Sequence, residues 1–337
     1  MNLVTENKIG IKKLKNGLTV KLIEKPNFKT FNVQMIVNFG SSDSLIDQVQ
    51  IPPGSAHLIE HLLFHKKNHD MDYLFSQMGI DSNAYTTYNV TNFFYTTLKK
   101  DREYFKKSLE YLFELVLDAY FTNDLIKKEI EIISSEIKIT EDDTDSDLYT
   151  ELLANLYPKT PLSYDILGTE KTIRTVDKNL LKRLHEKFYQ PQNIVLYVCG
   201  PISFSELIEV VESVANLDDQ KDIELNSNYY YLPVKNKKSN FNNKLSKLVY
   251  GWSLPNLDLN YRDSIIFSLY LENMLGKRSQ FFHRMYNDGV INDDFYYEFV
   301  VEKNFTVLFF SCLTEDPKKL LIVPGNLCIV KKFQKKN

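Results

Sequence analysis

The first forty residues have the alternating apolar and polar pattern that is typical of β-strands. Asn16-Gly17 separates two such segments, and Asn-Gly between apolar runs is the strongest short signal for a hairpin. The predicted strands are 9–14, 18–23 and 31–39. After Pro52-Pro53 the pattern changes to a helical one, and Ser55 is the predicted N-cap of this helix.

Beyond residue 84 the chain first predicts extended structure and then a series of helices. Thr, Tyr, Phe and Val dominate 85–97, as in a strand. The segment 123–141 has its isoleucines on one helical face, at positions 126, 130, 133 and 137. The predicted helices are 101–118, 123–141, 146–157, 177–189 and 204–215, and a buried strand is predicted over 194–199.

A polar segment over 216–243 interrupts this order, and a strand–helix–strand pattern then restarts. The restarted elements are predicted over 245–254, 261–275 and 295–312. Mixed strands and helices with hairpins predict an α+β fold. The predicted organisation is a first domain over 1–220, a linker over 221–243 and a second domain over 244–337.

Composition narrows the functional classes without choosing among them. The chain has 337 residues, 43% of them apolar, and its 41 basic and 44 acidic residues leave a net charge of −3. This balance gives no field that favours nucleic acid, and no run of about 18 apolar residues predicts a membrane span. The three cysteines, at 199, 312 and 328, form no disulfide pattern. We therefore expect a cytoplasmic protein.

The chemistry-bearing motif is H-x-x-E-H, formed by His57, Glu60 and His61. On a helix the two histidines lie four residues apart, so both imidazoles project from one face, as two ligands of a tetrahedral zinc require. Glu60 reaches the same side and can act as the general base, in the inverted form of the H-E-x-x-H arrangement. A polar helix face without metal is the alternative interpretation of this motif.

A catalytic zinc needs a third protein ligand, and Glu136 is the best candidate. Glu129 lies two helical turns earlier on the same face, where it can hydrogen-bond a ligand imidazole. An ordinary charged helix surface would contain the same glutamates. His65 and His69 continue the histidine cluster; they are expected to be solvated, and the alternative is that they supply a rival ligand.

These residues together resemble the pitrilysin/insulinase family of inverted-zincin metallopeptidases, in particular a bacterial branch related to mitochondrial processing peptidase. The resemblance covers about residues 9–315. Its matching segments are GSAHLIEH (54–61), Asn83-Ala-Tyr-Thr86, the pair Glu129/Glu136, FYQPQN (188–193) and GKRSQFFHRMYNDGVIND (276–293).

The resemblance implies two homologous α+β domains, each an antiparallel-rich sheet with helices packed on one face, the second incomplete. It assigns one zinc per chain to His57, His61 and Glu136, with Glu60 as base and Glu129 supporting a ligand. The strand residues expected to pair with an extended peptide substrate are Asn83, Ala84, Tyr85 and Thr86. The expected partner is a homologous subunit that lacks the zinc motif and completes a dimer.

The chain departs from this family pattern near its C-terminus, where the resemblance ends after about Thr314 and a truncation is predicted. Three functions remain open from the sequence. The first is a zinc endopeptidase that hydrolyses short or unfolded peptides. The others are a zinc-binding but inactive subunit of a peptidase-like heterodimer, and a truncated remnant without function.

Overall fold

The structure, a computed structural model, describes residues 8–98, 101–215, 231–234, 246–254 and 260–314. Its strands are β1 (Lys8–Lys13), β2 (Thr19–Glu24), β3 (Thr30–Val37), β4 (Leu45–Ile46), β5 (Val49–Gln50), β6 (Asp81–Thr86), β7 (Thr91–Leu98), β8 (Ile194–Gly200), β9 (Ser246–Ser253), β10 (Tyr296–Val301) and β11 (Thr306–Thr314). Its α-helices are α1 (Ser55–Leu63), α2 (Met71–Gln77), α3 (Arg102–Leu117), α4 (Asn123–Asp142), α5 (Thr144–Leu156), α6 (Glu170–Ile173), α7 (Lys178–Phe188), α8 (Phe204–Val214), α9 (Tyr261–Leu275) and α10 (Gln280–Asn287). The predicted α+β class is confirmed.

The chain divides into two compact units. The described residues of Met1–Asp142 and Tyr164–Ser227 form the first unit, and those of Asp143–Ser163 and Asn228–Asn337 form the second. The predicted first domain, 1–220, differs from this division because α5 belongs to the second unit. Of the predicted linker 221–243, the described residues are 231–234.

A six-stranded sheet in the order β1-β2-β8-β3-β7-β6 organises the first unit. All neighbouring strands are antiparallel except β2 and β8, which are parallel. Along β3 the side chains alternate between buried and half-buried, because alternate residues of a strand face opposite sides of its sheet. The buried set packs against apolar side chains of the helices and forms one large core. The opposite sheet face includes Asn32, Gln34 and Tyr197.

The N-terminal hairpin forms as predicted. β1 and β2 pair from Lys8 opposite Glu24 to Lys13 opposite Thr19. In the connecting turn Gly17 has φ +91, a left-handed conformation that glycine adopts without strain. The Asn16 side chain accepts a hydrogen bond from the Leu18 amide at 3.1 Å. This side-chain bond fixes the turn, as asparagine commonly does.

The segment predicted as one extended run over 85–97 is a hairpin. β6 ends at Thr86 and β7 begins at Thr91, with the Thr87 amide bonded to the Val90 carbonyl at 2.8 Å. The Thr87 hydroxyl also accepts from the Val90 amide. A threonine side chain that bonds the backbone a few residues further on, as Thr87 does with Val90, can close a turn without glycine or proline. β6 thereby becomes the edge strand of the sheet.

The second unit is built on a three-stranded antiparallel sheet in the order β10-β11-β9. Nearly every residue of β11 is buried. Phe310 belongs to an apolar cluster with residues of α10, whereas the Phe309 ring lies 5.1 Å from that of Tyr149 on α5. Neighbouring residues of a strand face opposite ways, so α5 and α10 cover opposite faces of β11.

Candidate metal centre

The start of α1 is fixed by close backbone packing. Gly54 is the N-cap residue, with φ 90, so the N-cap predicted at Ser55 is one residue too late. Ser55 is the first helical residue, and its hydroxyl donates to the Pro52 carbonyl at 2.6 Å. A β-carbon at Gly54 would collide with the Leu167 carbonyl oxygen, and one at Gly168 with that of Pro53. Two glycines therefore allow this contact.

α1 presents His57 and His61 side by side. Their ring centroids are 4.5 Å apart in an edge-to-face arrangement, as the four-residue spacing predicts. The leucines and isoleucine of the same helix are buried in the core, which leaves the two imidazoles outside that core. The side chains of His57 and His61 retain 12% and 20% of their exposure.

Glu136, on α4, lies opposite this pair. Its Oε2 is 3.9 Å from His57 Nε2 and 3.7 Å from His61 Nε2. Three ligand atoms, one from each of these residues, lie within 4.8 Å of one another. Zinc bonds of about 2.1 Å at tetrahedral angles place ligand atoms about 3.4 Å apart. The two glutamate–histidine separations exceed this spacing by about half an ångström or less, so the donor set fits zinc after small side-chain adjustments.

The electrostatic surroundings of the two imidazoles differ. Burial and the neighbouring His61 lower the pKa of His57 to about 3, so His57 is neutral near pH 7 and keeps a lone pair for coordination. Burial alone would lower the pKa of His61, but its hydrogen bond to Glu129 and the carboxylates of Glu136 and Glu60 raise it. His61 Nδ1 donates to Glu129 Oε2 at 3.3 Å, which leaves Nε2 free to face Glu136.

Glu129 is almost completely buried and is shared by two histidines. His65 Nε2 donates to its Oε1 at 3.1 Å, and the second His65 nitrogen donates to Asp70 Oδ1 at 2.5 Å. Burial alone would raise the pKa of Glu129, but the hydrogen bonds from His61 and His65 lower it to about 2. His69 instead pairs with Glu114 at 2.7 Å. Neither His65 nor His69 is simply solvated, contrary to that expectation.

Glu60 is buried next to the three candidate ligands, with 7% of its surface exposed. Its Oε2 accepts a hydrogen bond from the Thr86 hydroxyl at 2.5 Å. Burial raises the pKa of Glu60 to about 7; the Thr86 bond and His61 oppose this rise, and Glu136 adds to it. A carboxyl group with a pKa near neutrality can both accept and release a proton at physiological pH.

The predicted substrate strand is the edge strand β6. Asn83 and Tyr85 are exposed, Ala84 is half-buried and Thr86 is buried. The Ala84 amide donates to the Asn83 side chain at 2.8 Å, so this amide faces away from β7. The Thr86 side chain lies on the buried face of the sheet, where its hydroxyl contacts Glu60, and is not exposed beside a bound peptide. Strand alternation could have revealed this, because Thr86 and Tyr85 must face opposite sides.

The described residues contain no helix that is long and apolar enough to cross a membrane. His185 is buried, and its Nε2 donates to the Val116 carbonyl at 3.0 Å. Its ring stacks on Tyr189 with centroids 4.7 Å apart. These contacts support the core, and His185 is not part of the group that could hold a metal ion in the described part of the chain.

Two histidines and a glutamate from separate helices, next to a buried glutamate, have the arrangement expected of an inverted zincin. Two family models match the chain accordingly: "Insulinase (Peptidase family M16)" over residues 19–170 and "Peptidase M16 inactive domain" over residues 175–323. The chain belongs to peptidase family M16, the insulinase family.

Its curated relatives include named zinc proteases and a processing peptidase. The chain is 28% identical to the uncharacterized zinc protease YmfH of Bacillus subtilis over 345 residues, which cover 96% of the chain and 79% of that relative. It is 30% identical to the chloroplastic stromal processing peptidase of Oryza sativa subsp. indica over 210 residues, 60% of the chain and 16% of that relative.

Solved structures share the fold at low sequence identity. An M16-like peptidase from Alicyclobacillus acidocaldarius superposes with a TM-score of 0.83 at 23% identity, covering 98% of this chain and 81% of the other. A protease from Helicobacter pylori has a TM-score of 0.81 at 20% identity, covering 98% and 80%. These matches agree with the M16 fold.

Proposed function

We propose that the chain is a zinc-dependent endopeptidase that hydrolyses short or unfolded peptides, with Glu60 as its general base. The observation that carries this proposal is the position of Glu60. It is buried next to a His57–His61–Glu136 cluster whose donor atoms fit zinc, and its pKa is raised to about 7. A neutral polar helix face would not require a buried carboxyl group at this position.

The proposed mechanism assigns a separate task to each side chain. His57, His61 and Glu136 would hold zinc, which supplies a Lewis acid that polarises the scissile carbonyl and acidifies water. Glu60 accepts the proton of the attacking water and returns it to the leaving amine. The Thr86 hydroxyl holds one oxygen of the Glu60 carboxylate and leaves the other for this transfer. Glu129 orients the imidazole of His61.

The proposed peptide site is the outer edge of β6. An extended peptide can add to an edge strand through backbone hydrogen bonds, which read conformation more than side-chain identity. The outward-facing Ala84 amide offers one such donor once the Asn83 side chain releases it. This mode favours substrates that present an extended segment, as short or unfolded peptides do.

The cytoplasmic location expected from the sequence stays a prediction.

The proposed partner is a homologous subunit that lacks the zinc motif. Support comes from the match of residues 175–323 to a domain described as inactive, which indicates that active and inactive modules are paired in this family. Hydrolysis that appears only after addition of such a homologue would support this partner. Full activity of the isolated chain would argue against it.

The central experiment compares three purified single variants with the wild type. Zinc content is measured by metal analysis, and cleavage is followed with an unstructured, internally quenched peptide, with and without the homologue. Glu60→Gln should keep one zinc per chain and lose cleavage by about 100-fold or more. Glu136→Gln should lose the metal.

Glu131→Gln is the matched control for Glu136→Gln. Glu131 lies on the same helix, but its exposed carboxylate pairs with Arg174 at 2.7 Å. This variant should keep both zinc and activity. Unchanged cleavage by Glu60→Gln would discard the assigned base, and zinc binding without any cleavage by the wild type would identify an inactive subunit.

A further inference from the structure

Both oxygens of the Glu129 carboxylate on α4 accept hydrogen bonds from histidines. One is His61 of α1, and the other is His65 in the turn that follows α1. Oε2 accepts from His61 and Oε1 accepts from His65, at 3.3 and 3.1 Å. The carboxylate is almost completely buried. An ionised group in such a place needs its hydrogen bonds, because water is not available to replace them.

His65 is itself held from two directions. Its ring nitrogens face two carboxylates, Glu129 and Asp70, and carboxylates only accept, so both nitrogens donate. The backbones of His65 and Asp70 also form an antiparallel β-bridge. Within this turn the Lys66 amide donates to the His69 carbonyl at 2.9 Å. The imidazole of His65 therefore has a fixed position relative to Glu129.

His65 is not a candidate ligand in this arrangement. Among the described histidines, cysteines and acidic residues, the group that could hold a metal ion consists of His57, His61 and Glu136. Both ring nitrogens of His65 already face carboxylates, those of Glu129 and Asp70. His65 therefore acts on the metal centre indirectly: it hydrogen-bonds Glu129, and Glu129 hydrogen-bonds the candidate ligand His61.

We propose that His65 is a positioning residue for the metal centre, oriented by Asp70, and that it tightens zinc binding by holding Glu129 against His61. This inference rests on the zinc site of the proposed function but not on peptide hydrolysis. If His65 is removed, Oε1 of Glu129 loses its donor, and the carboxylate is free to rotate away from His61 Nδ1. The imidazole that faces Glu136 then loses its fixed orientation.

The test is the zinc dissociation constant, measured on full-length protein by competition with a chromogenic chelator. Outer partners of ligand histidines typically contribute about 10- to 100-fold to metal affinity. His65→Ala should weaken zinc binding by about tenfold, the lower end of this range, because His65 acts through a second residue. His69→Ala is the matched control, since His69 lies in the same turn and pairs with Glu114 instead. It should leave zinc affinity unchanged.

A second set of variants separates positioning from a general effect on folding. His65→Gln keeps one N–H donor for Glu129 and should recover part of the lost affinity. Glu129→Gln should weaken zinc binding by about 10- to 100-fold, and His65→Ala added to it should change affinity little further. Circular dichroism of the metal-free proteins should be the same for all variants.

Three outcomes would overturn the inference. One is zinc affinity in His65→Ala equal to that of the His69→Ala control. Another is full additivity of His65→Ala with Glu129→Gln, which would mean that His65 does not act through Glu129. The third is complete loss of zinc in His65→Ala while Glu136→Gln retains it, which would make His65 the third ligand. Absence of peptide cleavage would affect only the proposed function.

Discussion

At the scale of single residues, the most consequential contact in the site joins Thr86 to Glu60. Both side chains are buried, and the hydroxyl donates to the carboxylate at 2.5 Å. A donor stabilises the ionised form of a carboxyl group, so this bond opposes the rise in pKa that burial causes. The contact therefore sets the pH range in which the proposed base is ionised.

Thr86→Val should shift the acidic limb of the pH–activity profile to higher pH. Loss of one hydrogen bond to a charged group costs about 1.5–3 kcal/mol, which corresponds to about one to two pKa units. Peptide cleavage should fall more at pH 6.5 than at pH 8.5, with unchanged zinc content. Thr86→Ser should restore the profile, and Thr96→Val, at an exposed hydroxyl on β7, is the control. A uniform loss at every pH would contradict this role.

The buried side chain of Lys66 leads to a prediction about the stability of the fold rather than about activity. Its buried ammonium donates to the Leu115 and Asp118 carbonyls near the end of α3. Burial lowers the pKa of Lys66 to about 8, although Asp118 and Glu114 oppose the shift. The unfolded chain, with its pKa near 10.5, binds more protons between these two values, so stability rises with pH across this window.

The expected gain between pH 8 and pH 10.5 is about 3 kcal/mol in the free energy of unfolding. Lys66→Met should remove this gain, whereas Lys67→Met, at an exposed side chain, should retain it. Urea unfolding at several pH values measures the slopes. Equal slopes in the two variants would show that Lys66 is not the group responsible.

At the scale of elements, the long helices and the central strands follow from the sequence, but several local features do not. The isoleucine stripe fixes α4 within one residue, and the hairpin of β1 and β2 forms around Asn16-Gly17. The β6–β7 turn was missed because Thr87, not glycine or proline, closes it. α2, with seven residues, is too short for a helical period to appear.

Of the candidate site, the sequence predicted the helices that carry His57, His61 and Glu136, and the structure brings these three together. The spacing of the histidines predicts their shared face. Their meeting with Glu136 depends on the tertiary packing of α1 against α4, which helical spacing cannot predict. The contacts of His65 were not predictable because they depend on the turn between α1 and α2. Similarly, the amphipathic pattern of α5 does not specify which sheet it covers.

The position of β6 at the edge of the sheet leads to a prediction about substrate binding. The Ala84 amide faces the outer edge, so by alternation the Tyr85 amide faces β7. Ala84→Pro removes the outward donor and should raise KM by about five- to tenfold, the equivalent of about 1 kcal/mol, with little change in melting temperature. Tyr85→Pro should instead lower the melting temperature. An unchanged KM in Ala84→Pro would remove this amide from the proposed peptide site.

At the scale of the whole molecule, all three candidate ligands lie in the first of two compact units. A metal that binds only the folded first unit should stabilise that unit directly. In hydrogen exchange followed by mass spectrometry, zinc at about 100 times its dissociation constant should slow exchange in α1 and α4 by up to about 100-fold. Amides of β9, β10 and β11 should exchange at the rate seen with chelator.

The matched comparison for this experiment is Glu136→Gln, in which zinc should slow no segment. Glu131→Gln should reproduce the wild-type pattern, because its carboxylate pairs with Arg174. Slower exchange in β11 on addition of zinc to the wild type would mean that the metal acts on both units.

The contact between Gly54 and Gly168 has a consequence for how inactive variants of this protein are interpreted. Neither glycine has a side chain that could take part in chemistry, yet a methyl group at either one would push two backbone segments apart at the start of α1. His57 lies three residues further along and would be displaced with the helix. A random mutagenesis screen for variants that no longer bind metal should therefore recover substitutions at Gly54 and Gly168. Such variants would lack the metal although every candidate ligand is still present.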